Sequence, residues 1–242
     1  FSVARYVDMA ARCVDDILAR GGLPIVAGGT GLYIDSLLSG RTFAHFDPDS
    51  ALRAQLEERV RREGGQALLD ELARADPDTA ARLHPNDEKR IVRALEVYLS
   101  TGKTITQHNR ETLALPPRYD ALTITLAFQR REDMWARIDR RVDEMMERGL
   151  AQEVRSLLDS GVPEKCTAMQ AIGYKEMAAA LRGDGDVDRA AREIQLRSRQ
   201  YAKRQLTWFR RNGAAKWITW DSEPNFAQAL QVSTGYLEDF GI

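Results

Sequence analysis

Residues 23–38, LPIVAGGTGLYIDSLL, decide the fold class. Leu23–Ala27 is a short apolar run between glycines, the pattern of a buried parallel strand. Gly28-Gly29-Thr30-Gly31 then turns the chain into a helix running to Leu38, with Gly40 as its C-cap. Upstream, Val3, Tyr6, Val7, Met9, Ala10, Val14 and Ile17 predict an amphipathic helix over 3–20 that stops at Gly21-Gly22. Helix, strand, glycine-rich turn and helix in that order is α/β grammar. The turn also has chemical reach. Gly28 and Gly29 let a ligand approach the backbone, the next helix start offers free N–H groups, and Thr30 adds a hydroxyl. By itself such a turn is more often only a turn. It is not a Walker A loop, and GxxxxGK[ST] occurs nowhere in the chain.

The style changes after Pro48. Residues 48–101 hold no convincing strand and predict helices at 49–63, 65–74, 77–83 and 86–101, with Asn86 or Asp87 as an N-cap. This helical insertion ends near Pro116-Pro117. The β-branched run Ala121–Phe128 predicts a strand. Helices follow at 131–148 and 150–160, then a loop over 163–175, a helix near 175–181, a long basic helix, and a last strand at Ala215–Trp220. The expected organisation is an α/β core from 1–47 and 116–242, interrupted by an all-helical domain at 48–115.

The chain has 242 residues, a net charge of −1, 43% hydrophobic and 29% charged residues, ordinary values for a globular protein. No apolar run approaches the roughly 20 residues that span a bilayer, so no membrane partner is expected. No signal peptide is visible. Cys13 and Cys166 are far apart and fit a reducing cytoplasm, both read as packing residues. His45, His84 and His108 form no zinc-ligand pair, and no protein metal ligand is assigned.

Against this neutral background, residues 189–211, RAAREIQLRSRQYAKRQLTWFRR, carry eight Arg or Lys and one acid. Gln200, Lys203, Arg204, Thr207, Arg210 and Arg211 fall on one helical stripe, while Ile194, Tyr201 and Trp208 are spaced to anchor the helix to a core. A cationic, amide-bearing stripe beside a buried seam suits a phosphate backbone. Arg137 and Arg141 share a face of the 131–148 helix, opposite Ile138, Val142, Met145 and Met146. They can grip a diphosphate, or they can pair with Asp139 or Asp143 in solvent. Lys89-Arg90-Ile91-Val92-Arg93 sits just inside a helix start. Gln170-Ala171-Ile172-Gly173-Tyr174-Lys175 combines a sharp turn, a stacking ring and polar reach, features used on unstacked RNA bases.

Taken in order, PIVAGGTGLYI, LHPNDEKRIVRALEVY, RIDRRVDEMMERGLAQEV, AIGYKE and RQYAKRQLTWFR resemble the tRNA dimethylallyltransferases, also called tRNA isopentenyltransferases, over nearly the whole chain. The resemblance implies a core related to P-loop kinases with a helical insertion domain. It implies transfer of a dimethylallyl group from dimethylallyl diphosphate to N6 of adenosine 37 in tRNA, giving N6-isopentenyladenosine, with Mg²⁺ assisting, in a cytoplasmic monomer. Residue by residue, it makes Thr30 the threonine where diphosphate meets adenine and Arg141 the arginine that neutralises the diphosphate. Gly28 and Gly29 then lie against that diphosphate. Thr30, Arg53, Lys89, Arg90, Ile91, Val92 and Arg93 become tRNA-contacting positions. So do Gln170, Ala171, Ile172, Gly173, Tyr174 and Lys175, and Lys203, Arg204, Gln205, Leu206, Thr207, Trp208, Phe209 and Arg210. The family's P-loop and its aspartate base are not in this sequence. The parent protein is therefore expected to be an enzyme and this chain alone to be inactive. The other readings of the residues are a nucleotide kinase-like phosphotransferase and a non-catalytic RNA-binding module.

Overall fold

The computed structural model describes residues 2–40 and 50–242. The expected domain boundary at 47/48 and His45 lie outside the described residues. The chain divides into two compact units, one of Ala27–Gly31 with Ala121–Ile242, the other of Ser2–Val26 with Leu32–Asp120.

The first unit carries the sheet. Strand β1 (Ile124–Phe128) pairs in parallel with β2 (Lys216–Trp220), with Ile124 opposite Lys216 and Phe128 opposite Trp220. Parallel neighbours need a long crossover. Here it runs through α8 (Arg131–Glu147), α9 (Leu150–Asp159), α10 (Tyr174–Arg182) and α11 (Val187–Phe209). Val142, Val154, Met177 and Ile194 from these four helices form the buried core. Each such side chain contributes roughly 1.5–3 kcal/mol by leaving water. A closing helix, α12 (Phe226–Phe240), is capped by Asn225, which accepts from the Gln228 N–H at 3.0 Å. Its Phe226 ring meets the edge of Trp220.

The second unit is all helical and has two separate apolar cores. In one, Val7, Ala11 and Val14 of α1 (Val3–Ala19) pack with Leu37 of α2 (Gly31–Leu38). The other joins α3 (Ser50–Glu63), α4 (Gly65–Ala75), α5 (Pro77–Ala80) and α6 (Glu88–Thr101) through Leu56, Leu68, Leu72, Ile91 and Leu95. Helix α7 (Ile105–Leu113) begins at Thr104, whose hydroxyl accepts from Gln107 N while the Gln107 amide accepts from Thr104 N. Asp76 ties α5 to α7. Only 2% exposed, it accepts hydrogen bonds from Thr79 N, Thr106 N and the Thr106 hydroxyl.

The α/β class and the parallel pairing match the expectation. The strand expected at Leu23–Ala27 does not form; the stretch is extended, unpaired backbone and Ile25 is 84% exposed. A strand is defined by ladder partners, which a local apolar run cannot reveal. The 121–128 strand starts at Ile124, the 77–83 helix ends at Ala80, and α7 and α12 are helices beyond those expected. Gly40 does end α2, with φ of 62°. Cys166 packs against the first unit's core, but Cys13 is exposed, on the face of α1 away from Val7, Ala11 and Val14.

Candidate nucleic-acid interface

Helix α11 organises the site. Gln200, Lys203, Arg204, Thr207, Arg210 and Arg211 are all exposed, as the helical stripe requires. Its charge is not uniform. Toward the N-terminal end Arg189 pairs with Asp184, Arg197 with Glu193 and Arg199 with Asp139. Lys203, Arg204, Arg210 and Arg211 have no ion pair among the described residues; Arg204 lies over the Tyr201 ring and Arg211 over Trp208. Arg192 aside, the cations of this stretch without an ion pair among the described residues gather at its C-terminal end. Ile194 anchors the helix as expected. Tyr201 does not, being 39% exposed, and Trp208 is half-buried.

What Trp208 and Gln205 do instead is hold the glycine turn. Gln205 Nε2 donates to the Gly29 carbonyl at 2.8 Å. A Cβ on Gly29 would lie 2.0 Å from Gln205 Nε2, and one on Gly31 would lie 2.1 Å from Trp208 Cδ1. At Gly31 the Trp208 indole leaves no room for a side chain, whereas at Gly29 the near atoms belong to the flexible end of Gln205. The turn is clamped on either side of Thr30, which is itself exposed with a hydroxyl that has no partner among the described residues. Gly28 is open, with nothing near its missing side chain. Two motifs some 170 residues apart, Gly28–Thr30 and Lys203–Arg210, are thus one place.

Helix α8 packs on α11 and supplies the next cations. Arg137 and Arg141 are exposed and have no ion pair among the described residues. Asp139 and Asp143, the carboxylates expected to compete for them, face α11 and are taken by Arg199 at 3.2 Å and Gln195 at 2.9 Å. Arg140 reaches Glu223. Arg137 and Arg141 could therefore hold an anionic ligand. No hydrogen bond joins Arg141 to the glycine turn among the described residues.

The 170–175 segment lies in the same unit. Gln170 donates to the Glu164 carbonyl at 2.8 Å, and Gly173, with φ of 106°, gives its N–H to Glu176 at 2.9 Å. Ala171 and Lys175 are exposed, whereas Ile172 and Tyr174 pack on the core. The Tyr174 hydroxyl hydrogen-bonds the Glu153 carboxylate, which, with burial, raises the phenol's pKa. The ring is held rather than free to swing.

In the second unit, Lys89 and Arg90 are exposed, while Ile91 and Val92 are buried and serve to seat α6. Asp87 stands at the helix start but turns its carboxylate back to His84 N. Arg53 from α3 and Arg93 from α6 converge on Glu96, at 3.5 and 3.0 Å. In the sequence Glu96 is an acid set among Ala94, Leu95 and Val97, three residues after an arginine.

Among the described residues no group of three or more His, Cys, Asp or Glu is placed to hold a metal ion, and no helix is long and apolar enough to cross a membrane.

The whole chain has relatives. The profile of the IPP transferase family matches residues 1–212. A tRNA dimethylallyltransferase of Acetivibrio thermocellus is 41% identical, over all of this chain and 77% of its own length. One of Geobacter sulfurreducens is 44% identical, over all of this chain and 75% of its own. Among solved structures, the full-length tRNA isopentenylpyrophosphate transferase of Bacillus halodurans superposes with a TM-score of 0.65 at 37% identity, over 99% of this chain and 75% of that one. A eukaryotic dimethylallyltransferase described as acting on tRNA superposes with a TM-score of 0.77 at 26% identity, over 99% of this chain and 63% of that one. Matched by the family's profile over residues 1–212 and by a relative 41% identical along its whole length, this protein belongs to the IPP transferase family.

Proposed function

We propose that the gene product transfers a dimethylallyl group from dimethylallyl diphosphate to N6 of adenosine 37 in tRNA, in the cytoplasm and as a monomer. The observation that carries this reading is the docking of Gly29 and Gly31 on Gln205 and Trp208 of α11. It puts the hydroxyl of Thr30 beside the most cationic turns of the chain, so an anionic small substrate and an RNA can meet at one point. N6 attacks the allylic carbon and gives up a proton to a general base, the C–O bond to diphosphate breaks, and negative charge grows on the leaving group. A fixed cation aimed at that charge acts more strongly in the transition state than in the ground state. Arg141 has this role and Arg137 supports it, because the α8 carboxylates are engaged by α11. Thr30 donates to the diphosphate with Gly28 and Gly29 lying against it. The base must leave its stack to be reached, as in other chemistry on nucleobases.

Lys203–Arg210, Gln170–Lys175, Arg53 and Lys89–Arg93 bind the anticodon stem-loop. Residues 48–115 form a lobe of their own in this reading, supported by an apolar core made of residues 56–95. Magnesium belongs to the proposal as a companion of the diphosphate. In this reading the arginines supply the protein's share of the charge neutralisation beside it.

The test is pyrophosphate release by the full-length gene product. Release should require both dimethylallyl diphosphate and an anticodon stem-loop with an adenosine at position 37. Phosphate transfer from ATP to a nucleotide, without prenyl transfer, would support the kinase-like reading instead.

A further inference from the structure

We propose that Gln205 is a positioning residue that locks the Gly29–Thr30 peptide against α11 and so aims Thr30 at the leaving diphosphate; this rests on the reading of Thr30 as the point where diphosphate meets adenine. Gln205 lies within the Lys203–Arg210 run but stands apart from its neighbours there. Lys203, Arg204 and Thr207 are exposed, whereas Gln205 is half-buried and gives Nε2 to the Gly29 carbonyl at 2.8 Å. The amide takes this orientation of necessity, since Oε1 in the same place would set one carbonyl oxygen against another. A side chain that an RNA-binding stripe would use on the outside is turned inward, onto backbone 176 residues away in sequence.

Packing alone does not require an amide here. The Trp208 indole already fills the space at Gly31, and a methionine would fill the space of Gln205 at Gly29. What an amide adds is direction. Gly28 and Gly29 have no side chains to restrict the backbone leading into Thr30, and nothing lies within 4 Å of a Cβ placed on Gly28. Among the described residues the Gly29 carbonyl is held by Gln205, and the Thr30 N–H has no partner. The peptide between them is planar and trans, so its C=O and N–H point in opposite directions. Holding the Gly29 carbonyl toward α11 therefore turns the Thr30 N–H away from α11 and fixes the Cα from which the Thr30 hydroxyl extends. Unpinned, a backbone of two glycines rotates this plane at small cost, and each rotation carries the Thr30 donors off the diphosphate. Donors already held in the productive direction need no reorganisation as charge grows on the leaving group.

The test compares the full-length gene product with its Gln205→Met variant, which keeps the length of the side chain and removes the donor. Single-turnover prenyl transfer at saturating stem-loop and dimethylallyl diphosphate should fall about tenfold, the equivalent of ~1.4 kcal/mol and of one lost hydrogen bond. Stem-loop affinity should stay within about twofold, with an unchanged salt slope, because the donor does not face the RNA. A residue that acts through Thr30 leaves a second mark. In the Thr30→Ala background, Gln205→Met should slow transfer by about threefold at most, since the two losses share one cause and do not multiply. Thermal melts confirm folding, and Gln205→Leu takes the place of Met if Met does not fold. An active wild type with a Gln205→Met variant that is equally fast would overturn the positioning role. So would a variant that loses stem-loop affinity as much as rate, which makes Gln205 an RNA contact, or a full tenfold loss on top of Thr30→Ala, which makes it independent of Thr30. A wild type that binds both substrates and transfers no prenyl group would sink the reading of the site itself, and the inference with it.

Discussion

Thr30 can be separated from the turn that carries it, because it is exposed and its hydroxyl has no partner among the described residues, while Gly29 and Gly31 lie against α11. Thr30→Ala in the full-length gene product should lower turnover about ten- to a hundredfold, matching one donor to a charged group at about 1.5–3 kcal/mol. Thr30→Ser should keep most activity, and neither should move the melting temperature appreciably. Equal loss in Ser and Ala would make the methyl group, and hence packing, the operative feature. Gly31→Ala should behave in the opposite way, losing stability along with activity, since its Cβ would meet Trp208 Cδ1 at 2.1 Å. Arg141→Ala should slow prenyl transfer by on the order of 10²–10³, about 3–4 kcal/mol of transition-state stabilisation, with little change in stem-loop affinity. Single-turnover rates and binding isotherms measured side by side distinguish this from a structural role, which would move both. The proposed roles rest on residue types that the sequence shows on a turn and a helix face. That Arg141 has no ion pair among the described residues is not readable there, because Asp139 and Asp143 are drawn off by residues some 50–60 positions away.

At the scale of elements, α11 is two helices in electrostatic terms. Arg189, Arg197 and Arg199 are paired with Asp184, Glu193 and Asp139, whereas Arg192 and the C-terminal Lys203, Arg204, Arg210 and Arg211 have no ion pair among the described residues. Arg204→Ala should weaken binding to cognate and non-cognate tRNA alike and reduce the salt slope by about 1. Arg199→Ala, which breaks a pair with Asp139 that is about one-third exposed, should leave the salt slope nearly unchanged. A loss at Arg204 confined to one tRNA sequence would point to base reading instead of phosphate contact. The α5–α7 junction gives a pH prediction. Burial alone would raise the Asp76 pKa, but hydrogen bonds from Thr106 and Thr79 outweigh it and hold the carboxyl below its ordinary 3.8. A depressed folded-state pKa means the stabilisation is complete above the unfolded value and is lost as pH falls through the folded one. Urea unfolding of Asp76→Asn should show a loss of about 1–3 kcal/mol at neutral pH that is constant down to about pH 5 and shrinks in stronger acid. A deficit independent of pH down to the acid limit would assign the effect to shape rather than charge. The helices of this region could be read from periodicity and breaks, and Asp76-Pro77 was visible as a break. That Asp76 also fastens α7 was not, because Thr106 is thirty residues on.

Over the whole molecule, the α/β class was legible because the Gly28–Gly31 turn, the β-branched 121–128 run and the 215–220 run each carry their own signal. The parallel pairing of β1 with β2 agrees with it. Leu23–Ala27 misled for a physical reason: apolar content shows that a segment can be buried in a sheet, whereas ladder partners decide whether it is. The candidate site was legible as separate motifs, and their meeting was not. Nothing in GGTG or RQLTWF taken singly says that Gln205 reaches Gly29; only the packing of α11 does. The same packing gives the account its central claim, that one anionic small substrate and one RNA meet at Thr30. The most direct measurement is mass analysis of nucleosides from a tRNA incubated with the full-length gene product and dimethylallyl diphosphate. The account predicts one new nucleoside, adenosine plus a single dimethylallyl unit on N6, mapped to position 37 and lost with Thr30→Ala or Arg141→Ala. Unmodified tRNA under conditions where the protein binds both substrates, or a prenyl group on any other base, would contradict it.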